Sequence, residues 1–545
     1  MSKVAHYLQE HLVGEVMTST DARRYFATDN SILQLAPALI AYPRGENDVR
    51  KAARFTWQLA ERGRVIPLTA RGNGTDQSGA ALGAGIMLVF PAHMNRILEL
   101  DTKANTVTVE PGINFGKLQQ ALHTHGRFLP PYPASLEYSS VGGAIANNSS
   151  GEKSVKYGDM RASTQSLRVV LANGEVIETK RLNKRELSKK LGLATFEGEI
   201  YRSIDTLLEE QRSLVERLKM SVIKNNAGYD LLNIKHQDGS LDLTPLIVGS
   251  QGTLGIVTEA VLKTELHNPT TTLMMANFDS LQQLQDCVLE LRDNPSEMPS
   301  AIELVDGNLL EQIHALNPNQ LAEVIKPPFP TAVLIVEFDN SERHLKKLTK
   351  KAEKIFEKYA TGVQTAIGPE QQQQFLKLRE ASGTLLSHNE GLLHAVPIIG
   401  DGAVAPDQLR AYLEGIYELL KTDNVKAAVW GHAGEGSLHF QPKLNLGQVG
   451  DRQKVFRLIE AYQKLIMDLG GTISATAGDG RLRTPYLEAV YGPELYALLA
   501  KVKKIFDPYG TLNPGVKFGS SLDDIKELIR TDYGLDHLYD HLPRS

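Results

Sequence analysis

Three glycine-rich segments, far apart in the chain, make sense together only as one binding site. They are Thr69-Ala70-Arg71-Gly72-Asn73-Gly74-Thr75, the stretch from Ser140 to Gly151, and the stretch from Val248 to Thr258. Glycine lets backbone amides turn toward an anion with no Cβ in the way. Successive amides in such turns form anion-binding concavities. One such loop marks a turn and nothing more. Three of them, each beside a run that reads as a strand, point to a long ligand that carries phosphates. The fold must bring all three to one place.

A chain of 545 residues is too long for one ordinary core, so two or three domains are expected. The 59 basic and 64 acidic residues leave a net charge of −5, which argues against a nucleic-acid binder. Cys287 is the only cysteine, so neither an internal disulfide nor a Cys-ligated iron–sulfur cluster can form. Residues 1–20 show no apolar run of the secretory kind. No window approaches 18 apolar residues, so no transmembrane helix is expected and a cytoplasmic location is the default.

Val49, Ala52, Ala53, Thr56, Leu59 and Ala60 recur at helical spacing over 47–61, and Gly63 stops the run. Short strands are expected at 65–68, 106–109 and 167–171, with a helix at 115–125. From about residue 272 the texture changes. Strands are expected at 272–278, 332–338 and 425–430, with helices at 280–293, 341–360 and 406–421 packed on one face of the sheet. Leu522, Ile525, Leu528 and Ile529 give the charged tail a weak amphipathic stripe.

The loop residues also carry a resemblance. Arg71-Gly72-Asn73-Gly74-Thr75, with Leu82-Gly83 and His93 to Ile97 behind it, resembles the first flavin loop of the vanillyl-alcohol-oxidase (PCMH-type) FAD enzymes. Pro131 to Ser135, Val141 to Gly151 and Lys156-Tyr157-Gly158 resemble the second, and Gly249 to Gly255 the third. Asp507 to Gly515 resembles the segment that returns to the flavin. The branch most resembled is that of the D-lactate, glycolate and D-2-hydroxyglutarate dehydrogenases. The resemblance implies an α+β chain with a two-subdomain FAD-binding domain at 36–265. An N-terminal helical segment at 1–35 would precede it. A cap with an antiparallel sheet covered by helices would follow at 266–484, then a return segment at 485–518 and a charged tail at 519–545.

The cofactor implied is FAD, whose pyrophosphate the amides of Gly72, Asn73, Gly74 and Thr75 can receive, with the Thr75 and Ser78 hydroxyls near. Pro133, Ala134, Ser135, Ser140 and Val141 belong to the second loop, where Gly142, Gly143 and Gly151 allow close approach. Asn148 and Ser149 offer polar side chains. Gly252, Ile256 and Val257 come from the third loop, and Asn513 from the return segment. Some members of the superfamily tether the flavin through a histidine. Residues 69–91 and 126–160 contain neither His nor Cys, so FAD is expected to be non-covalent. With no cluster of its own, the chain would hand electrons directly to a partner: a quinone, an electron-transfer protein or oxygen.

Trp430 to His439 resembles the two-histidine segment of the hydroxyacid dehydrogenases. On a straight strand, His432 and His439 would point to opposite faces. Gly434 and Gly436 imply a turn that brings both rings to one point. Two converging imidazoles suit a divalent metal or a proton transfer. The metal-dependent relatives take a third ligand and a base from a Gly-Glu-His-Gly-Asp-Gly segment. Here the matching run is Ala475-Thr476-Ala477-Gly478-Asp479-Gly480, with Thr476 at the ligand position and Ala477 at the base position. No metal is therefore expected, and His432 and His439 are its ligands if one binds. Gly400 stands where the hydroxyglutarate branch has a substrate lysine. Arg379 matches the arginine that grips the substrate carboxylate.

The catalytic set is then His432, His439, Arg379 and Asp479, with Glu435 as a further acid or base. A small-molecule substrate, a 2-hydroxy acid or related alcohol, would give hydride to FAD while a pocket base takes its proton. Two alternatives stay open. One is a redox-neutral transferase of the alkylglycerone-phosphate synthase type. The other is a flavoprotein that has lost dehydrogenase activity.

Overall fold

A computed structural model describes residues 2–366, 368–387, 391–398 and 401–534. Two sheets build the half that carries the glycine loops. In the first, Leu39–Ala41, Ile86–Val89 and Leu68–Arg71 run parallel, with Val16–Met17 added antiparallel at the edge. The helix Glu46–Glu61 buries Val49, Ala52, Ala53 and Thr56, the stripe its spacing predicts. The expected strand at 65–68 starts later, at Leu68, and runs directly into Arg71 at the head of the first loop. The second sheet has five antiparallel strands, in the order Ile97–Asp101, Thr106–Val109, Ile256–Lys263, Thr164–Val170, Val176–Thr179. Ile256 follows the third loop at once, so this strand anchors that loop as Leu68–Arg71 anchors the first.

The C-terminal half is built on a six-stranded sheet in which every pairing is antiparallel. Its central strands, Ala301–Asp306 and Ala332–Phe338, are buried at every position. Helices cover both faces, not one as expected. Met274, Ala276, Ile302 and Leu304 pack with the helices Leu281–Arg292, Glu342–Tyr359 and Leu409–Thr422. Leu273, Met275, Val305 and Val333 pack on the other face with Gly307–Leu316 and Gly368–Arg379. A strand that is apolar at successive positions must be covered on both sides, and Ala332 to Val336 is such a run.

The chain then returns to the first half. Leu512 lies beside Leu68 as an isolated parallel bridge, and Asn513 donates its amide to the Leu68 carbonyl at 3.0 Å. The tail helix Leu522–Leu528 docks through Ile525, which is 1% exposed. Residues 535–545 of the expected charged tail, and Gly400, lie outside the described residues.

Candidate active site

A cavity of about 280 Å³ lies where the three glycine loops meet the C-terminal half. Arg71 to Thr75 and Ser78 line it from the first loop. Pro133, Ala134, Ser135, Ser140, Gly142, Gly143 and Ser149 line it from the second, and Gly252, Ile256 and Val257 from the third. The contact between loops is close. A Cβ on Gly72 would sit 2.0 Å from the Ser140 hydroxyl. Gly74 has φ +73°, and a Cβ there would sit 2.3 Å from the Arg71 guanidinium. Arg71 itself is buried and donates to the Thr28 carbonyl at 2.8 Å, so it braces the loop from behind.

Four residues expected at the flavin support the wall without forming it. Val141 is fully buried in the core of the five-stranded subdomain. Asn148 is fully buried and bonds Asp159 and Asn226 at 2.7 and 2.6 Å. Gly151 lets the backbone of Tyr132 approach, since a Cβ would lie 2.0 Å from its carbonyl oxygen. Asn513 donates to the carbonyls of Ala80 and Gln251 at 2.9 and 2.8 Å, tying the first loop to the third. The sequence reading passed over Asp76 and Gln251. Asp76 accepts from the Ser78 and Ala80 amides and from Asn147. Gln251 donates to Asn147 and accepts from the Gly480 amide. Gln251 sits inside the third glycine segment and Asp76 directly follows the first, but polar loop residues look alike before the loops meet.

Ser139 and Ser150 belong to the cavity wall, and their hydroxyls are buried with no partner among the described residues. Buried polar groups are otherwise almost always paired. The glycine loops crowd together so closely that a Cβ on Gly72 or Gly74 would collide, and this bare backbone on the cavity wall fits a phosphate-bearing ligand such as FAD.

At the other end the cavity is lined by His432, His439, Asp401, Thr476, Ala477 and Arg483. Val429–His432 and Ser437–Phe440 form a hairpin that pairs Trp430 with His439 and His432 with Ser437. Its turn passes through Gly436 at φ +68°. The two rings meet edge to face with centroids 5.6 Å apart. Their environments pull them apart in charge. Burial works against a charged His432, but Glu303 lies 2.8 Å from its Nδ1, and that carboxylate lifts its pKa above the usual value. Burial, reinforced by the positive charge of His432, pushes His439 down to about 4.

Asp401 faces this pair from a strained backbone, at φ +95°. Its carboxylate accepts from the amides of Thr476 and Ala477 at 2.7 and 3.1 Å, from the Thr476 hydroxyl, and from Arg483 at 2.9 Å. Nothing in the sequence marks Asp401. It stands in none of the motifs and arrives only by folding.

The other expected catalytic residues lie elsewhere. Arg379 does not line the cavity. Its Nε pairs with Glu152 at 2.8 Å, and its Nη1 faces Glu337 at 3.6 Å. Asp479 is fully buried and is locked to the equally buried Lys517 at 2.8 Å and to the Ser474 hydroxyl at 2.6 Å. Glu435 is buried against Lys224 at 2.6 Å. All three are engaged in scaffold ion pairs, with Nη1 of Arg379 and Oε1 of Glu435 left without a hydrogen-bond partner among the described residues.

Glu303 holds the Nδ1 of His432, which leaves its Nε2 as the ring's remaining donor, and the oxygens of Asp401 are taken by four donors. Among the described residues no group of three or more His, Cys, Asp or Glu could hold a metal ion.

A cavity lined by glycine loops and closed by a helix-covered antiparallel cap is the architecture of the PCMH-type FAD-binding proteins. Residues 37–180 match the FAD binding domain family, and residues 267–516 match the C-terminal domain of FAD linked oxidases. The chain belongs to this FAD-linked oxidase family, and FAD is its cofactor. It is 29% identical over 93% of its length to D-2-hydroxyglutarate dehydrogenase of Escherichia coli (strain K12), of which it covers 50%. It is 28% identical to glycolate oxidase subunit GlcD of Bacillus subtilis (strain 168), with 89% of this chain and 90% of that protein covered. The chain thus spans about half the length of the hydroxyglutarate dehydrogenases it matches. An alkyldihydroxyacetonephosphate synthase structure is similar at TM-score 0.62 and 17% identity, over 94% of this chain and 86% of that one; at that identity the likeness concerns the fold alone. No helix among the described residues is long and apolar enough to cross a membrane.

Proposed function

We propose that the protein oxidises a 2-hydroxy acid or related alcohol, using FAD held without a covalent bond. The observation that carries this reading is the pair His432 and His439 on the cavity wall, their rings 5.6 Å apart and His432 held by Glu303 at 2.8 Å. Paired titratable groups whose surroundings drive them to opposite protonation states divide acid–base work between them. Bound FAD supplies a two-electron hydride acceptor. His439, kept neutral by burial, accepts the substrate hydroxyl proton. His432, kept charged by Glu303, stabilises the oxygen as its proton leaves. The hydroxy-acid relatives support the substrate class. Of the histidines, His432 and His439 line the cavity, and Cys287 lies buried in the cap core, which supports a non-covalent cofactor. Within this stretch Cys287 alone makes no iron–sulfur cluster, and the acceptor proposed is a quinone, an electron-transfer protein or oxygen.

The test is anaerobic bleaching of the flavin by D-2-hydroxyglutarate, D-lactate and glycolate, each added alone. Bleaching without a second nucleophile separates this reading from a redox-neutral transferase. A flavin that dithionite reduces but no 2-hydroxy acid does would sink it. Acid precipitation should leave FAD in the supernatant; flavin retained in the pellet would overturn the non-covalent part.

A further inference from the structure

We propose that Arg483 is the residue that grips a carboxylate of the substrate in this cavity, and that Arg379 is not. The inference rests on the hydroxy-acid reading and names the group that would recognise the acid.

The cavity wall holds two Lys or Arg side chains, Arg71 and Arg483. Arg71 stands behind the first glycine loop and spends its terminal nitrogens on the carbonyls of Phe26, Thr28 and Ala81. Arg483 stands at the opposite end, beside His432, His439 and Thr476. Its Nη1 donates to Asp401 and to the Gly478 carbonyl, both at 2.9 Å. These two bonds fix the plane of the guanidinium. Among the described residues its Nε and Nη2 have no partner, and neither is a sealed, orphaned atom. One edge of the fork is therefore anchored and the other edge is open to the cavity.

An anchored guanidinium with a free edge suits a planar carboxylate, which it can meet with two parallel hydrogen bonds. Asp401 is the positioning residue. Its strained backbone and its two bonds to the Thr476 and Ala477 amides hold it where it can aim Arg483. A carboxylate bound there lies on the same stretch of wall as the two histidines, where a hydroxyl on the neighbouring carbon would need its proton removed. Arg379 is placed differently. Glu152 and Glu337 flank it, its Nη1 is sealed without a hydrogen-bond partner among the described residues, and it is not among the residues lining the cavity.

Oxalate tests this without turnover, because it has no hydrogen to transfer. Binding to the FAD-loaded protein is read from the perturbation of the flavin spectrum. If no hydroxy acid bleaches the flavin, the functional reading fails while this assay still reports on Arg483. Saturable binding by the wild type is expected. Arg483→Gln should weaken it about tenfold to a hundredfold at unchanged flavin content. Arg483→Lys should recover part of the loss, keeping the charge without the fork. Arg379→Gln should bind oxalate within about threefold of wild type, a shift too small for a lost charged contact. Oxalate bound equally well by Arg483→Gln, or a wild type with no saturable response, would overturn the proposal. If Arg379→Gln does not hold flavin, the Gln and Lys variants at 483 decide alone.

Discussion

The two ends of the cavity are built on opposite plans. The loop end binds through backbone. Gly72, Gly74, Gly142, Gly143 and Gly252 line it, the Gly142 and Gly143 amides being held by the Pro111 carbonyl and the Ser140 hydroxyl, and the side chains of Arg71, Asp76 and Asn513 brace the loops. The histidine end binds through side chains. His432 and His439 come from one hairpin, Asp401 and Arg483 from two other segments, and partners set two of them: Glu303 for His432, Asp401 for Arg483. A backbone site tolerates changes in its side chains but not in its φ angles. A side-chain site can change its chemistry by moving one residue, as Asp401 does opposite Thr476 and Ala477. One cofactor can thus serve different reactions.

The largest effect that could break this comparison is expected at Gly74. Gly74→Val places a β-branched residue at positive φ against Arg71, and the protein should purify without flavin. A full complement of FAD in that variant would remove the first loop from the site. At the other end, His439→Ala should lower turnover by about 10²- to 10⁴-fold, the usual worth of a general base, with flavin content unchanged. If the flavin is lost with the activity, the two ends are not separable as argued.

Asp479→Ala sharpens the line between scaffold and chemistry. It leaves Lys517 charged and buried without its carboxylate, and the loss of stability should be about 3–5 kcal/mol, read by denaturant unfolding. A variant that is fully stable yet inactive would return Asp479 to the catalytic set.

The pH profile is a smaller effect with a definite sign. His439 must be neutral to act, and its pKa is lowered to about 4, so activity should persist through pH 6 and fall only near that value. His432 must be charged, and its pKa is raised, so activity should fall as pH rises past a point above 6.5. Glu303→Gln removes the negative charge that raises it and should move the alkaline limb to lower pH. An alkaline limb that stays in place would detach His432 from the profile. Smallest of all is the response to chelators. With the oxygens of Asp401 already engaged and neutral Thr476 at the ligand position, exhaustive EDTA treatment should leave activity unchanged. Loss on chelation, restored by one equivalent of zinc, would contradict that donor assignment.

By itself the sequence determined the cofactor end and most of the secondary structure. Glycine spacing, strand runs and helical stripes are local signals, and the chemistry they serve uses the backbone, so the loops can be read before they fold. The apolar run Ala332–Val336 also carried a sheet covered on both faces, although one covered face was the expectation. The histidine pair was legible as well, because a single hairpin holds both. The tertiary structure alone decided what surrounds that pair. Arg379 and Asp479 are ordinary charged residues in the sequence; folding sets Glu152 and Lys517 against them and spends their charges on the scaffold. Asp401 and Arg483 stand 82 positions apart and become a unit only when the cap closes on the loops. A charge acts through its distance to other charges, and across long stretches of chain that distance is set by packing, which no local pattern encodes.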